Sequence, residues 1–134
     1  MRLYLLNATQ EDMLQAANLE TMETGFMVSI YFSISKKHYS NDEIAAACQL
    51  VLDEVHYTHV HLVKLDDGQL MISENTDMPN HVHRHQMSQH EWEARQQEFV
   101  RPFKLLEEPG VRINVIETEE HTIVCITFNH IFFD

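Results

Sequence analysis

Residues 122–128, Thr122-Ile123-Val124-Cys125-Ile126-Thr127-Phe128, run almost without a polar side chain on either face of an extended chain. A β-branched and aromatic run of this kind fits a strand covered on both sides, at the centre of a sheet rather than its edge. The run delivers Asn129-His130, and Asp134 stands four residues beyond the histidine. Just upstream, residues 111–117 form a second strand-like run, joined to the first by an acidic turn.

Working outward, residues 60–65 and 69–74 flank Asp66-Asp67-Gly68, and an Asp-Gly turn between two such runs predicts a hairpin. Upstream of it, Ile44, Ala47, Cys48, Val51, Leu52 and Val55 recur with helical spacing behind Ser40 or Asn41 as cap. The acids Asp42 and Glu43 suit that helix's positive end. In residues 26–34, Phe26, Val28, Ile30, Phe32 and Ile34 alternate with Met27, Ser29, Tyr31 and Ser33, which predicts a strand with one buried face.

Two ends complete the order. Residues 3–6 read as a short strand leading into a helix, where Asn7-x-x-Gln10 and Thr9-x-x-Asp12 are overlapping capping-box patterns and Met13, Leu14 and Ala17 supply the apolar face. Residues 75–87 are polar and read as loop. Ser88-x-x-Glu91 then opens a helix carrying Trp92, Phe99 and Val100, which Pro102 ends. The expected fold class is α/β (α+β), one domain of order β-α-β-α-β-β-α-β-β with helices covering one face of a mixed sheet.

Composition narrows the functions available. With 134 residues there is room for one domain with a real core. A net charge of −12, with 9 scattered Lys and Arg, offers no basic stripe for nucleic acid or an anionic membrane. No apolar run approaches the roughly 18 residues that span a bilayer, and residues 1–20 do not read as a signal or transit peptide. A cytoplasmic protein is the expectation. Cys48 and Cys125 lie within apolar patterns and read as buried thiols in a reducing compartment.

Histidine is where chemistry could reside. His-x-x-x-Asp occurs at His38/Asp42 and at His130/Asp134, but Asp42 is explained as a helix N-terminal acid. Two readings of His130 stand open: a strand-end histidine with a satisfied hydrogen bond, or a base that takes a proton from a nucleophile attacking an acyl carbon. His81, His83 and His85 alternate as metal ligands on a strand would. Arg84 and the polar surroundings favour a solvated loop with no metal. His56, His59 and His61 straddle a helix end and a strand, where His56 suits the helix dipole.

Several of these pieces stand in one order that resembles the N-terminal half of a condensation domain of nonribosomal peptide synthetases, a family with the chloramphenicol-acetyltransferase-like fold. Tyr4-Leu5-Leu6-Asn7-Ala8-Thr9-Gln10-Glu11-Asp12-Met13 is similar to that family's opening Y-P-L-T-P-A-Q-E-G-M. Arg101-Pro102-Phe103-Lys104-Leu105 with Pro109-Gly110-Val111-Arg112 resembles R-P-F-D-L…G-P-L-x-R, and 128–134 resembles the H-H-x-x-x-D core. The resemblance runs along essentially the whole chain.

It implies that residues 1–134 are one lobe of a two-lobed fold whose second lobe is absent. It makes His130 the catalytic histidine, met by the phosphopantetheine arms of two carrier proteins, and Asp134 a structural acid. The implied chemistry is amide formation between a tethered thioester and a tethered amine, with no cofactor bound directly and no turnover by this lobe alone. Three departures accompany it. Asn129 replaces the first His of the motif, His59 stands where the family has the Arg paired with the motif Asp, and the motif's final Gly and second half are missing. Two alternatives follow: a non-catalytic module docking a carrier or partner, or another acyltransferase of the same fold. An apolar face left bare by the missing lobe implies self-association.

Overall fold

A computed structural model describes residues 2–133. The strands are β1 (Arg2–Leu5), β2 (Met27–Ser35), β3 (Val60–Lys64), β4 (Leu70–Glu74), β5 (His83–Gln86), β6 (Val111–Glu117) and β7 (His121–Asn129). The helices are α1 (Ala8–Ala16), α2 (Leu19–Gly25), α3 (Asn41–Glu54) and α4 (Gln89–Arg95), with 3-10 turns at His56–His59 and Gln96–Phe99. Two sheets form, a three-stranded one of order β1-β4-β3 and a four-stranded one of order β2-β7-β6-β5. The expected central strand is central: β7 pairs antiparallel with β2 on one side and β6 on the other.

Local signals set most of these elements. Asn7, Ser40 and Ser88 each cap a helix while Gln10, Glu43 and Glu91 reach back, so all three capping boxes close. The hairpin turns at Gly68, whose φ of 89° lies in the left-handed region that L side chains avoid. There Leu65 N–H donates to Gln69 O at 2.8 Å and the Asp67 carboxylate accepts from Gln69 N–H at 2.9 Å.

Helices cover both faces of the larger sheet, not one. Ile44 and Leu52 of α3 pack with Val111, Ile113, Val115 and Val124. On the other face Trp92 of α4 and Phe99 pack with Ile116, Ile123 and Cys125. A third cluster joins Met22, the smaller sheet (Val60, Leu62, Ile72), Phe103, Leu105, Ile131 and Phe132, so the motif stretch after β7 is part of the core.

Three further expectations are corrected, and one element was not anticipated. Residues 75–87 contain β5, which pairs parallel with β6; a polar four-residue edge strand carries no apolar alternation for sequence to show. Residues 19–25 form α2, capped by the Asn18 side chain on Thr21 N–H. In β2 the alternating face is open: Ile30 is 52% and Phe32 46% exposed. The α3 stripe is likewise half covered, with Val51 and Val55 exposed and Cys48 only partly buried. Periodicity reports which residues share a face, not whether anything covers it.

Candidate functional site

β7 ends by feeding a turn whose polar groups are almost all tied down. Asn129 is fully buried, and its N–H donates to Gly110 O at 2.9 Å. Its side-chain amide donates to Met22 O at 2.8 Å, and its side-chain oxygen accepts from Ile131 N–H at 3.0 Å. The N–H of His130 donates to Phe26 O at 2.7 Å and that of Phe132 to Asn129 O at 3.2 Å. From α1, Gln10 Nε2 donates to Ile131 O at 2.8 Å while its oxygen caps the helix through Asn7 N–H. Tyr57 Oη donates to Phe132 O at 2.8 Å.

The segment before β6 forms the platform beneath this turn. Phe103 and Leu105 are buried, Leu62 N–H donates to Leu105 O at 2.7 Å, and Gly110 N–H donates to Val60 O at 3.0 Å. The Phe132 ring lies directly on Gly110, leaving no room for a Cβ there. Arg112 is buried with its guanidinium 4.2 Å from the Phe103 ring centroid. It donates to the Arg101 and Pro102 carbonyls and to Glu108 Oε1, the last at 2.7 Å.

Out of this frame His130 projects its side chain to the surface. Its Nδ1 meets the Phe133 carbonyl oxygen, which can only accept, so Nδ1 carries the hydrogen. In the neutral ring Nε2 then holds a lone pair and makes no hydrogen bond among the described residues. The hydrogen bond of the strand-end reading is thus present at Nδ1. One nitrogen is satisfied by the strand-end turn, and the other is left able to accept a proton.

Asn129 does not approach solvent; it is an anchor, and a second imidazole is absent from the surface of the turn. Asp134 lies outside the described residues. His59 is buried, with Nε2 2.7 Å from Leu52 O and Nδ1 2.9 Å from Met78 O, so its ring ties the end of α3 to the loop after β4. Asp42 pairs with Arg84 at 2.8 Å, and no three His, Cys, Asp or Glu side chains converge as a metal set among the described residues. Both Cys48 and Cys125 are free thiols. No helix among the described residues is long and apolar enough to cross a membrane.

Sequence reading missed the anchors: Met22, Phe26, Tyr57 and the second role of Gln10. Only Gln10 carried a signal, and that signal was for a helix cap.

No family model matches the chain and no curated protein does. Solved structures do. A mutant starter condensation domain of the rhizomide synthetase RzmA superposes with a TM-score of 0.77 at 16% identity, over 100% of this chain and 34% of that one. The tallysomycin biosynthesis protein TlmII gives 0.77 at 18% identity, over 96% of this chain and 31% of its own. A holo four-domain nonribosomal peptide synthetase bound to AMP and glycine gives 0.77 at 15%, over 100% of this chain and 10% of that one. The fold is that of part of a condensation domain. This chain spans about a third of the length of the condensation-domain chains it matches. Another RzmA mutant domain among the matches was solved in complex with C8-CoA.

Proposed function

We propose that this chain is the N-terminal subdomain of a condensation domain, forming amide bonds between a thioester and an amine that carrier proteins present on phosphopantetheine arms. The observation that carries the reading is His130 itself. It sits at the end of a central strand in a condensation-domain fold, with Nδ1–H engaged and Nε2 free among the described residues.

The chemistry follows from that tautomer. Nε2 takes a proton from the acceptor amine as its nitrogen bonds to the thioester carbonyl carbon. The C–S bond then breaks, and the departing thiolate takes the proton back from the imidazolium. The Phe133 carbonyl fixes ring orientation and tautomer throughout. Asn129 in place of the family's first histidine is compatible with this role, because the position is a buried clasp whose amide satisfies both the Met22 carbonyl and the Ile131 N–H. Asp134 is assigned a structural part in the motif by resemblance.

The second lobe of a condensation domain is the proposed partner of this one. Catalysis that depends on holding two reactants in a closed, oriented site needs both walls. The 134-residue chain alone is therefore expected to show no thioester aminolysis above background. In the protein complete with its second lobe, His130→Ala should lower amide formation at least ~100-fold. An unchanged rate there would remove His130 from the reaction.

The open β2 face favours a second reading, a non-catalytic module that docks a carrier or partner protein. Titrating labelled holo-carrier protein onto this chain separates the two. Binding that survives His130→Ala, together with no loss of rate in the complete protein, would favour docking alone.

A further inference from the structure

A cleft of about 220 Å³ opens beside β5 and β6 on the α4 face. The whole chain has 9 Lys and Arg against 21 Asp and Glu, yet Arg95, Arg101 and Arg112 all line this one cleft, with His83, His85 and Asn114. We infer that this cleft is a binding site for a phosphate-class oxyanion, inorganic or as a phosphomonoester.

Each wall supplies a different element. Arg112 is immobilised by the Arg101 and Pro102 carbonyls and by Glu108, so its charge is fixed at the floor. Arg101 is exposed, and its guanidinium makes no hydrogen bond or ion pair among the described residues. A guanidinium fork left free beside a fixed one suits bidentate capture of an oxyanion. Asn114 is 5% exposed, and its side-chain oxygen accepts from His85 Nε2 at 2.9 Å. Its amide N–H groups are left with no partner among the described residues. His83 adds a donor from the edge strand. Donors converging from a loop and two strands match the four acceptors of a tetrahedral oxyanion better than a planar carboxylate.

Two carboxylates oppose it, Glu108 on Arg112 and Glu98 on Arg95. Glu98 also lines the cleft, where it holds Arg95 Nε at 2.9 Å. Removing its charge should strengthen anion binding rather than weaken it.

His83 provides the readout. Burial first, then the positive charge of Arg101, Arg112, His85 and His81, holds its imidazole below the usual histidine range. An anion among these groups reverses the electrostatic part and moves His83 back up. The experiment is an NMR titration of His83 in the whole chain with inorganic phosphate, phenyl phosphate, or acetate, at constant ionic strength in chloride. Saturable binding of the two phosphates, with the His83 midpoint moving up, is the expected result; acetate should bind more weakly. Arg101→Ala should weaken phosphate binding about tenfold or more, and Glu98→Gln should tighten it. Arg84→Ala, on the same strand as His83 but paired with Asp42 and Glu117, should leave it unchanged. Phosphate acting no differently from chloride, or equal losses from Arg101→Ala and Arg84→Ala, would overturn the site. Binding of phenyl phosphate without inorganic phosphate would assign it to phosphoesters.

Discussion

Two neighbouring regions of the larger sheet are finished to very different degrees. At the end of β7 the turn around Asn129 and His130 is fastened from α1, α2, the start of β2 and the segment before β6. Beside it, β2 runs for nine residues as an edge with no charge, no Pro and no Gly, and Ile30, Tyr31 and Phe32 are each about half exposed. The opposite edge, β5, is four residues long and carries Arg84 in ion pairs with Asp42 and Glu117, the usual way an edge is kept from pairing. The contrast teaches a division of labour. This chain fixes the orientation of His130 from within, and it leaves the β2 side open.

The largest effect should come from breaking the fastened region. Asn129→Ala leaves the Met22 carbonyl and the Ile131 N–H buried without their partner. Each orphaned group costs about 1–3 kcal/mol, so a loss of roughly 3 kcal/mol is expected, read from the urea midpoint at unchanged slope. Gly110→Ala should cost a similar amount, ~3 kcal/mol, because its Cβ must displace the Phe132 ring. A loss below ~0.5 kcal/mol from both would mean that the turn is not the clasp described.

The open region should show the reverse behaviour. Self-association through the β2 face is expected at high concentration, and Ile30→Lys should weaken it about tenfold or more in sedimentation equilibrium. The same substitution should change monomer stability by less than ~0.5 kcal/mol, since the side chain is already half exposed. A wild-type chain that stays monomeric at every concentration would show that this edge does not pair, and the contrast between the two regions would lose its consequence.

What sequence could reveal divides along the same line. The central position of β7, the Asp-Gly hairpin and three helix caps were legible because each depends on neighbours in the chain. The fixed tautomer of His130 was not legible, because it depends on where the Phe133 carbonyl falls once the turn has closed. Nor was the clasp: Met22 and Asn129 meet across 107 residues, through a backbone carbonyl that any residue at that position would offer. β5 was missed because its side chains read as polar loop, although Arg84 and His85 meet Glu117 and Asn114 of β6 beside the backbone pairing. The exposure of β2 was misread because alternation marks a face that can be buried, and among the described residues Ile30 and Phe32 stay about half exposed.

A smaller effect should separate the sheets by pH. His61 and Ser73 are paired residues of β3 and β4, and His61 Nδ1 and Ser73 Oγ are buried without a hydrogen-bond partner among the described residues. Burial holds the His61 imidazole below the usual histidine range. In acid the unfolded chain therefore binds a proton that the folded chain resists, so stability falls as pH drops below the ordinary histidine value near 6.5. His61→Gln should flatten that slope between about pH 5 and 7. An unchanged slope would place the proton-linked stability elsewhere, with His83 the next group of the same sign.

The smallest expected effect tests whether the bare β2 edge and the α3 stripe form one surface. Phe32 and Ile34 of β2, Ala47, Cys48 and Val51 of α3, and Val124 of β7 line a groove of about 380 Å³. Burial raises the Cys48 thiol above its ordinary range, so less thiolate is present at pH 8 and alkylation should run a fewfold slower than for a free thiol. If association through β2 also closes the groove, alkylation of the wild-type chain should slow further as concentration rises. The rate for the Ile30→Lys variant should then stay constant over the same range. Concentration-dependent protection that persists in Ile30→Lys would instead place the contact on α3 alone. A rate flat in both proteins, with association still present, would confine the contact to the strand edge and leave the groove open.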